Sequence, residues 1–180
     1  MLELEKRENP DAFADDFRRD NLAENFPCAL ASAPFDAMVA SAIKKAVPTA
    51  NVDVTVWPVQ SKSLADLEQD AKSRVRSFKP DLVVIAVPRS AEAESDEQFV
   101  HSYSWIMNWS LSFGHQEWDC VVVHPSALDP DLSAPRDELV RRLVKAQHLE
   151  LVDRPPNDNS DIVSIFSEWI GKKIADSASK

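Results

Sequence analysis

Lys79-Pro80-Asp81-Leu82-Val83-Val84-Ile85-Ala86-Val87-Pro88 decides the architecture of this chain. Pro80 and Asp81 make a turn, six apolar residues follow without interruption, and Pro88 stops them. A strand with one wet face alternates apolar and polar residues, whereas a strand covered on both faces reads as a continuous apolar run. Leu82 to Val87 is of the second kind, so the sheet that holds it should carry helices on both sides.

Working outward, the same punctuation recurs. Ser63 is a good N-cap for a helix over Leu64 to Phe78, with Leu64, Leu67, Ala71 and Val75 on one face. Before it, Val52 to Val59 is rich in β-branched residues and broken at Pro58, which predicts a strand. Asp36 is placed to N-cap a helix over Ala37 to Val47, after a short apolar strand at Cys28 to Ser32 that Pro34 ends. Downstream, Asp96 opens a helix through Phe113, with Gly114 at the C′ position. Asp119 to Val123 is a strand stopped by His124-Pro125-Ser126, and Arg136 to Gln147 is helical. Leu149 to Val152 is a last strand, and Asn159 or Ser160 caps a helix over Asp161 to Ala175.

This is strand then helix, five times. It predicts the α/β class: a three-layer α/β/α sandwich with a five-stranded, mainly parallel sheet of flavodoxin-like topology. Residues 27–180 form that single domain. Residues 1–26 are a polar arm carrying Phe13, Phe17, Leu22 and Phe26, either partly helical and docked or a disordered tail.

Composition narrows the function. The apolar share of 44% and charged share of 28% are ordinary for a globular domain of this length, which needs no disulfide or metal staple. A net charge of -10 argues against nucleic acid and anionic membranes as partners. The chain has two glycines, Gly114 and Gly171, too few for a phosphate-cradling loop, so no nucleotide cofactor is expected. The two cysteines, Cys28 and Cys120, lie in apolar runs and read as buried thiols. No apolar run reaches the ~20 residues of a membrane span. The first residues lack a secretory apolar stretch, so a cytoplasmic setting is the default expectation, unless the chain is a fragment.

In sheets of this kind ligands sit at the carboxyl ends of the strands. Those ends read Ser32-Ala33-Pro34, Pro58-Val59-Gln60, Pro88-Arg89-Ser90, His124-Pro125-Ser126 and Asp153-Arg154-Pro155-Pro156. Proline marks every one, either as a strand terminator or as a stiffener of a pocket rim. Arg89, with Ser90 and Ser126, could meet an anionic ligand group; alternatively Arg89 pairs with the acidic run Glu92, Glu94, Asp96 and Glu97. That run has no accompanying histidine or glycine-turned loop, so no metal site is expected. The helix over 96–113 is apolar on more than one face. Tyr103 and Trp109 track one stripe and Trp105 lies off it, which suggests a contact with a second copy or another domain, beside simple core packing.

The order of elements resembles the SGNH (GDSL) hydrolases, esterases and deacetylases of this fold. The similarity covers about residues 27–175 and is clearest at Lys79 to Val87. The resemblance implies ester hydrolysis by a serine nucleophile, a histidine base and an aspartate. The family's Gly-Asp-Ser block falls on Ser32, Ala33 and Pro34, so proline stands at the nucleophile. Its Gly-x-Asn-Asp block falls on Pro88, Arg89, Ser90 and Ala91, and its Asp-x-x-His block on Asp153, Arg154, Pro155 and Pro156. Of the catalytic residues only the aspartate remains. The resemblance therefore implies a degenerate member that binds a ligand or a protein. The alternative is an esterase with a relocated nucleophile, using Ser32, His124 and Asp153 from three strand ends.

Overall fold

The computed structural model describes residues 35–59, 61–112, 118–129, 135–155, 158 and 160–178. Strands β1 (Leu82–Ile85), β2 (Asp119–Val123) and β3 (Glu150–Val152) form one parallel sheet in the order β1-β2-β3. Around it lie helices α1 (Phe35–Ala46), α2 (Leu64–Phe78), α3 (Asp96–Ser110), α4 (Pro125–Leu128), α5 (Asp137–Ala146) and α6 (Ile162–Ala178).

Strand pleat divides the core in two. Val83, Ile85, Cys120 and Val122 point to one face and pack with Leu64, Leu67, Ala71 and Val75 of α2, with Phe99, Tyr103, Ile106 and Met107 of α3, and with Val140 and Val144 of α5. Leu82, Val84, Val121, Val123 and Val152 point to the other and pack with Met38, Val39 and Ile43 of α1 and Ile165, Phe166 and Ile170 of α6. Every residue of β1 and β2 is buried, as a strand covered on both sides must be. The three-layer α/β/α sandwich is thus the observed architecture.

The expected five strands are three among the described residues. The segment 28–32 lies outside them. Val52 to Val59 is described and is not a strand, although it keeps the side-chain alternation of one: Val52 and Val54 pack on the α1 side, Trp57 and Val59 on the α2 side. A strand needs backbone pairing as well as alternation, and among the described residues this segment has no strand paired to it.

Helix starts also depart from expectation at two points. α1 begins at Phe35, so Asp36 lies in its first turn and not at its cap. α6 is capped by Asp161, whose Oδ1 accepts from the Ser164 N–H at 2.9 Å; Ser160 instead donates its N–H to Asp158. Ser63 does cap α2, in a reciprocal box with Asp66. α3 ends at Ser110 with Leu111 as cap, and Phe113 and Gly114 lie outside the described residues.

Candidate functional site at the carboxyl edge of the sheet

The β2–β3 register builds this edge. Val123 faces Val152, and the His124 N–H donates to the Val152 carbonyl at 2.8 Å. The next residues of the two strands, His124 and Asp153, are therefore neighbours. Their side chains meet: His124 Nδ1 lies 3.2 Å from Asp153 Oδ1. Ser126 completes a cluster, its Oγ 2.7 Å from His124 Nδ1 and 3.0 Å from Asp153 Oδ1. Ser32, the nucleophile expected with His124 and Asp153, lies outside the described residues, and Ser126 was expected as a ligand contact and not as part of this set.

The cluster follows from local chain chemistry. His124-Pro125-Ser126 is not a plain strand stop. It starts the single turn α4, with Pro125 at the first position, where a missing N–H costs nothing. His124 is the N-cap, its Nδ1 accepting from the Ser126 N–H at 3.1 Å. On the other side of the ring, Nε2 donates to the backbone carbonyl of Asp137 at 3.0 Å. A carbonyl can only accept, so the neutral ring carries its proton on Nε2.

Both ring nitrogens are thereby engaged, and the ring is 0% exposed. Burial drives the His124 pKa below its ordinary value, outweighing the Asp137 carbonyl and Asp153, which both favour the charged ring. A general base in ester hydrolysis needs one ring nitrogen facing the nucleophile and substrate. Here that nitrogen, Nε2, is spent on a carbonyl. Asp153 is likewise occupied. Burial pushes its carboxyl up, but hydrogen bonds from Arg141 and Ser126 and the nearby His124 ring prevail and hold it below the usual carboxylate range. Arg141 Nε reaches Oδ2 at 2.7 Å.

Arginines bind the rest of the edge together. Arg89 forms a two-pronged pair with Asp137, Nε to Oδ1 at 3.1 Å and Nη2 to Oδ2 at 2.6 Å, and also donates to the Asp129 carbonyl. Its partner is thus Asp137 at the start of α5, not the acidic run after it; Asp96 of that run pairs with Arg136 at 2.9 Å. Arg154 donates to the carbonyls of Ser126, Ala127, Asp158 and Ser160. Sequence reading passed over Arg141, Asp137 and Arg154. The signal for Asp137 was its position in the first turn of a helix beside an arginine-bearing strand end. Ser90 lies exposed in the turn after Arg89.

Beside the cluster, and lined by none of its three side chains, is a cavity of about 380 Å³. It opens between the end of β1 (Val87, Pro88, Ala91), α3 (Phe99, Tyr103) and α5 (Val140), with Arg89, Asp96, Arg136 and Asp137 among its walls. Tyr103 is 1% exposed, so of the three aromatic residues expected at an interface it belongs to the core. Trp105 is 39% exposed and stacks on Trp109, ring centroids 5.6 Å apart. Trp109 is roofed by the Arg76 guanidinium, 4.4 Å from its ring centre.

No family model matches the chain, and no curated protein matches it in sequence. Among solved structures it is similar to an acetyl xylan esterase, AlAXEase, with a TM-score of 0.54 over 86% of this chain and 99% of that one, at 14% identity. The two share a fold. A flavodoxin-like domain from Synechococcus sp. covers 87% of this chain and 100% of its own at a TM-score of 0.40 and 11% identity, too loose to bear on the fold. Among the described residues no helix is long and apolar enough to cross a membrane, and no three His, Cys, Asp or Glu side chains gather as a metal site.

Proposed function

We propose that this chain is a binding domain on an esterase-type fold, a degenerate SGNH-like member that holds a ligand or a protein and does not hydrolyse esters. One observation carries the reading: His124, the only histidine at the described strand ends, has both nitrogens engaged and no exposed surface. Its contacts are those of a helix cap and a loop anchor. The alternative, with Ser32 as nucleophile, requires Nε2 to leave the Asp137 carbonyl and turn outward. That motion would orphan a buried carbonyl and the Ser126 N–H together, at about 1–3 kcal/mol for each group.

The test is a fluorophosphonate probe, which reacts with activated serines, applied to the folded chain and to Ser32→Ala, Ser90→Ala and Ser126→Ala. The reading expects no labelling in any of them. Labelling of the wild type that disappears in one variant makes the chain an esterase with that serine as nucleophile.

A protein-binding role is favoured by a separate feature, the stacked Trp105–Trp109 pair on α3 with Trp105 turned to solvent. A second copy of this chain is the partner we propose for it.

A further inference from the structure

His124 holds the first turn of α4 through an acceptor that a proton abolishes. The neutral Nδ1 takes the Ser126 N–H at 3.1 Å, and this is the side-chain cap of α4. A charged ring carries N–H on both nitrogens and accepts nothing. Nε2–H keeps the Asp137 carbonyl in either state. Nδ1–H has acceptors already in place: Ser126 Oγ at 2.7 Å, which donates onward to Asp153 Oδ1 at 3.0 Å, and Asp153 Oδ1 itself at 3.2 Å. The site is thus furnished for both ring states. On charging, the Ser126 N–H loses the ring as its acceptor.

The charged groups around the ring come from three elements. Asp153, from the end of β3, faces Nδ1. From α5 come Asp137, whose carboxylate holds Arg89 from the end of β1, and Arg141, which holds Asp153 and Glu138. Arg154 lies beyond Ser126, on its carbonyl. Burial opposes charge on the ring most strongly, and Arg141 adds to it; Asp137 and Asp153 favour charge and are outweighed, so the ring charges only below pH 6.5. Solvent reaches the pair through Asp153, whose side chain is 29% exposed.

We infer that His124, Ser126 and Asp153 form an acid-operated latch: a proton from solvent, taken up on Nδ1, moves the ring's bond from the Ser126 N–H to Ser126 Oγ and Asp153, and frees the first turn of α4. That turn is a corner of the cavity between β1, α3 and α5, because Pro125 stands in the cavity wall and the Asp129 carbonyl, just past α4, accepts from Arg89. The latch is a property of the fold and goes beyond the binding reading above; its readouts are the same whether or not the chain hydrolyses an ester.

NMR of the full chain tests it, with labelled histidine rings and His124 identified by its buried, slowly exchanging Nε2 proton. At pH 7.5 the ring should be the Nε2–H tautomer. Between pH 7.5 and 4.5, with circular dichroism showing an intact fold, it should titrate with a midpoint below 6.5. The Ser126 amide proton should move upfield with the same midpoint, while amides of β1 and β2 stay in place. Exchange of the Asp129 amide, corrected for the intrinsic effect of pH, should quicken about 3- to 10-fold, the range for one lost hydrogen bond. Asp153→Asn should lower the ring's midpoint by about one pH unit or more, because the charged ring then meets a neutral amide and an Arg141 that Asp153 no longer offsets. His124→Asn keeps a capping oxygen without a titrating ring, so its Ser126 amide should hold one position across the range. A ring that stays neutral until the chain unfolds overturns the latch, as does a titrating ring that leaves the Ser126 amide unmoved. An unchanged midpoint in Asp153→Asn overturns the part given to Asp153. A Ser126 amide that still titrates in His124→Asn assigns the turn to another group and overturns the latch. Where His124→Asn does not fold, the wild-type and Asp153→Asn titrations decide.

Discussion

At the scale of single residues, His124 shows how one side chain can look catalytic in sequence and be structural in space. Its ring lies beside an aspartate and a serine at 3.2 and 2.7 Å, which is triad composition without triad geometry. Both partners sit on Nδ1, and the nitrogen a nucleophile would need points at a backbone carbonyl. The pH dependence of stability should report this. The folded-state pKa of His124 lies below its ordinary value of 6.5. Above pH 6.5 the ring is neutral in both states, and its full contribution is present. As pH falls through 6.5 the unfolded chain binds a proton that the folded site refuses, so stability declines, by up to about 1.4 kcal/mol per pH unit for one group. Asp153 acts in the same direction but lower. Its folded pKa lies below 3.8, so its contribution holds above that value and is lost beneath it. Urea midpoints at pH 7.5 and 5.5 should differ in the wild type and differ less in His124→Gln. A variant with the wild-type slope would assign the slope to other groups.

At the scale of elements, the start of α5 is pinned twice, and the two pins should be unequal. Arg89–Asp137 is mostly buried, each side chain 12% exposed, whereas in Arg136–Asp96 the aspartate is 68% exposed. Removing one member of a buried pair leaves an uncompensated charge, while an exposed pair is screened and costs its entropy to hold. Arg89→Ala should therefore lower stability by about 3 kcal/mol and Arg136→Ala by about 1 kcal/mol or less, read from urea midpoints at constant slope. Equal losses would show that the α5 start is held by its apolar contacts instead. The elements themselves were readable because their signals are local. Ser63 capped α2 at the expected residue, and the unbroken run Leu82 to Val87 announced a strand covered on both faces. The pins were not readable. Arg89 and Asp137 stand 48 residues apart, and several acids near Arg89 in sequence were equally plausible partners. Val52 to Val59 failed for a related reason: its β-branched residues set the side-chain alternation, but pairing depends on a neighbour elsewhere in the chain.

At the scale of the whole molecule, three large apolar side chains among the described residues stay exposed outside the two cores, Phe78, Trp105 and Val163, and of these Trp105 stacks on a second tryptophan of its own helix. If α3 meets a second copy through Trp105, two bodies of net charge -10 must approach each other. Their repulsion is long-ranged and is screened over about 10 Å at 0.1 M salt, whereas apolar contact at the tryptophan faces is not weakened by salt. Association should therefore tighten between 50 and 500 mM sodium chloride, the reverse of an interface held by surface ion pairs. Sedimentation equilibrium at both salt concentrations measures this. Trp105→Ser should abolish association, while moving the urea midpoint little, because a side chain 39% exposed contributes modestly to the monomer. A monomer at every salt concentration, or association unchanged in Trp105→Ser, would remove the second copy as the partner of this face. Association that weakens with salt would place the contact on charged residues elsewhere.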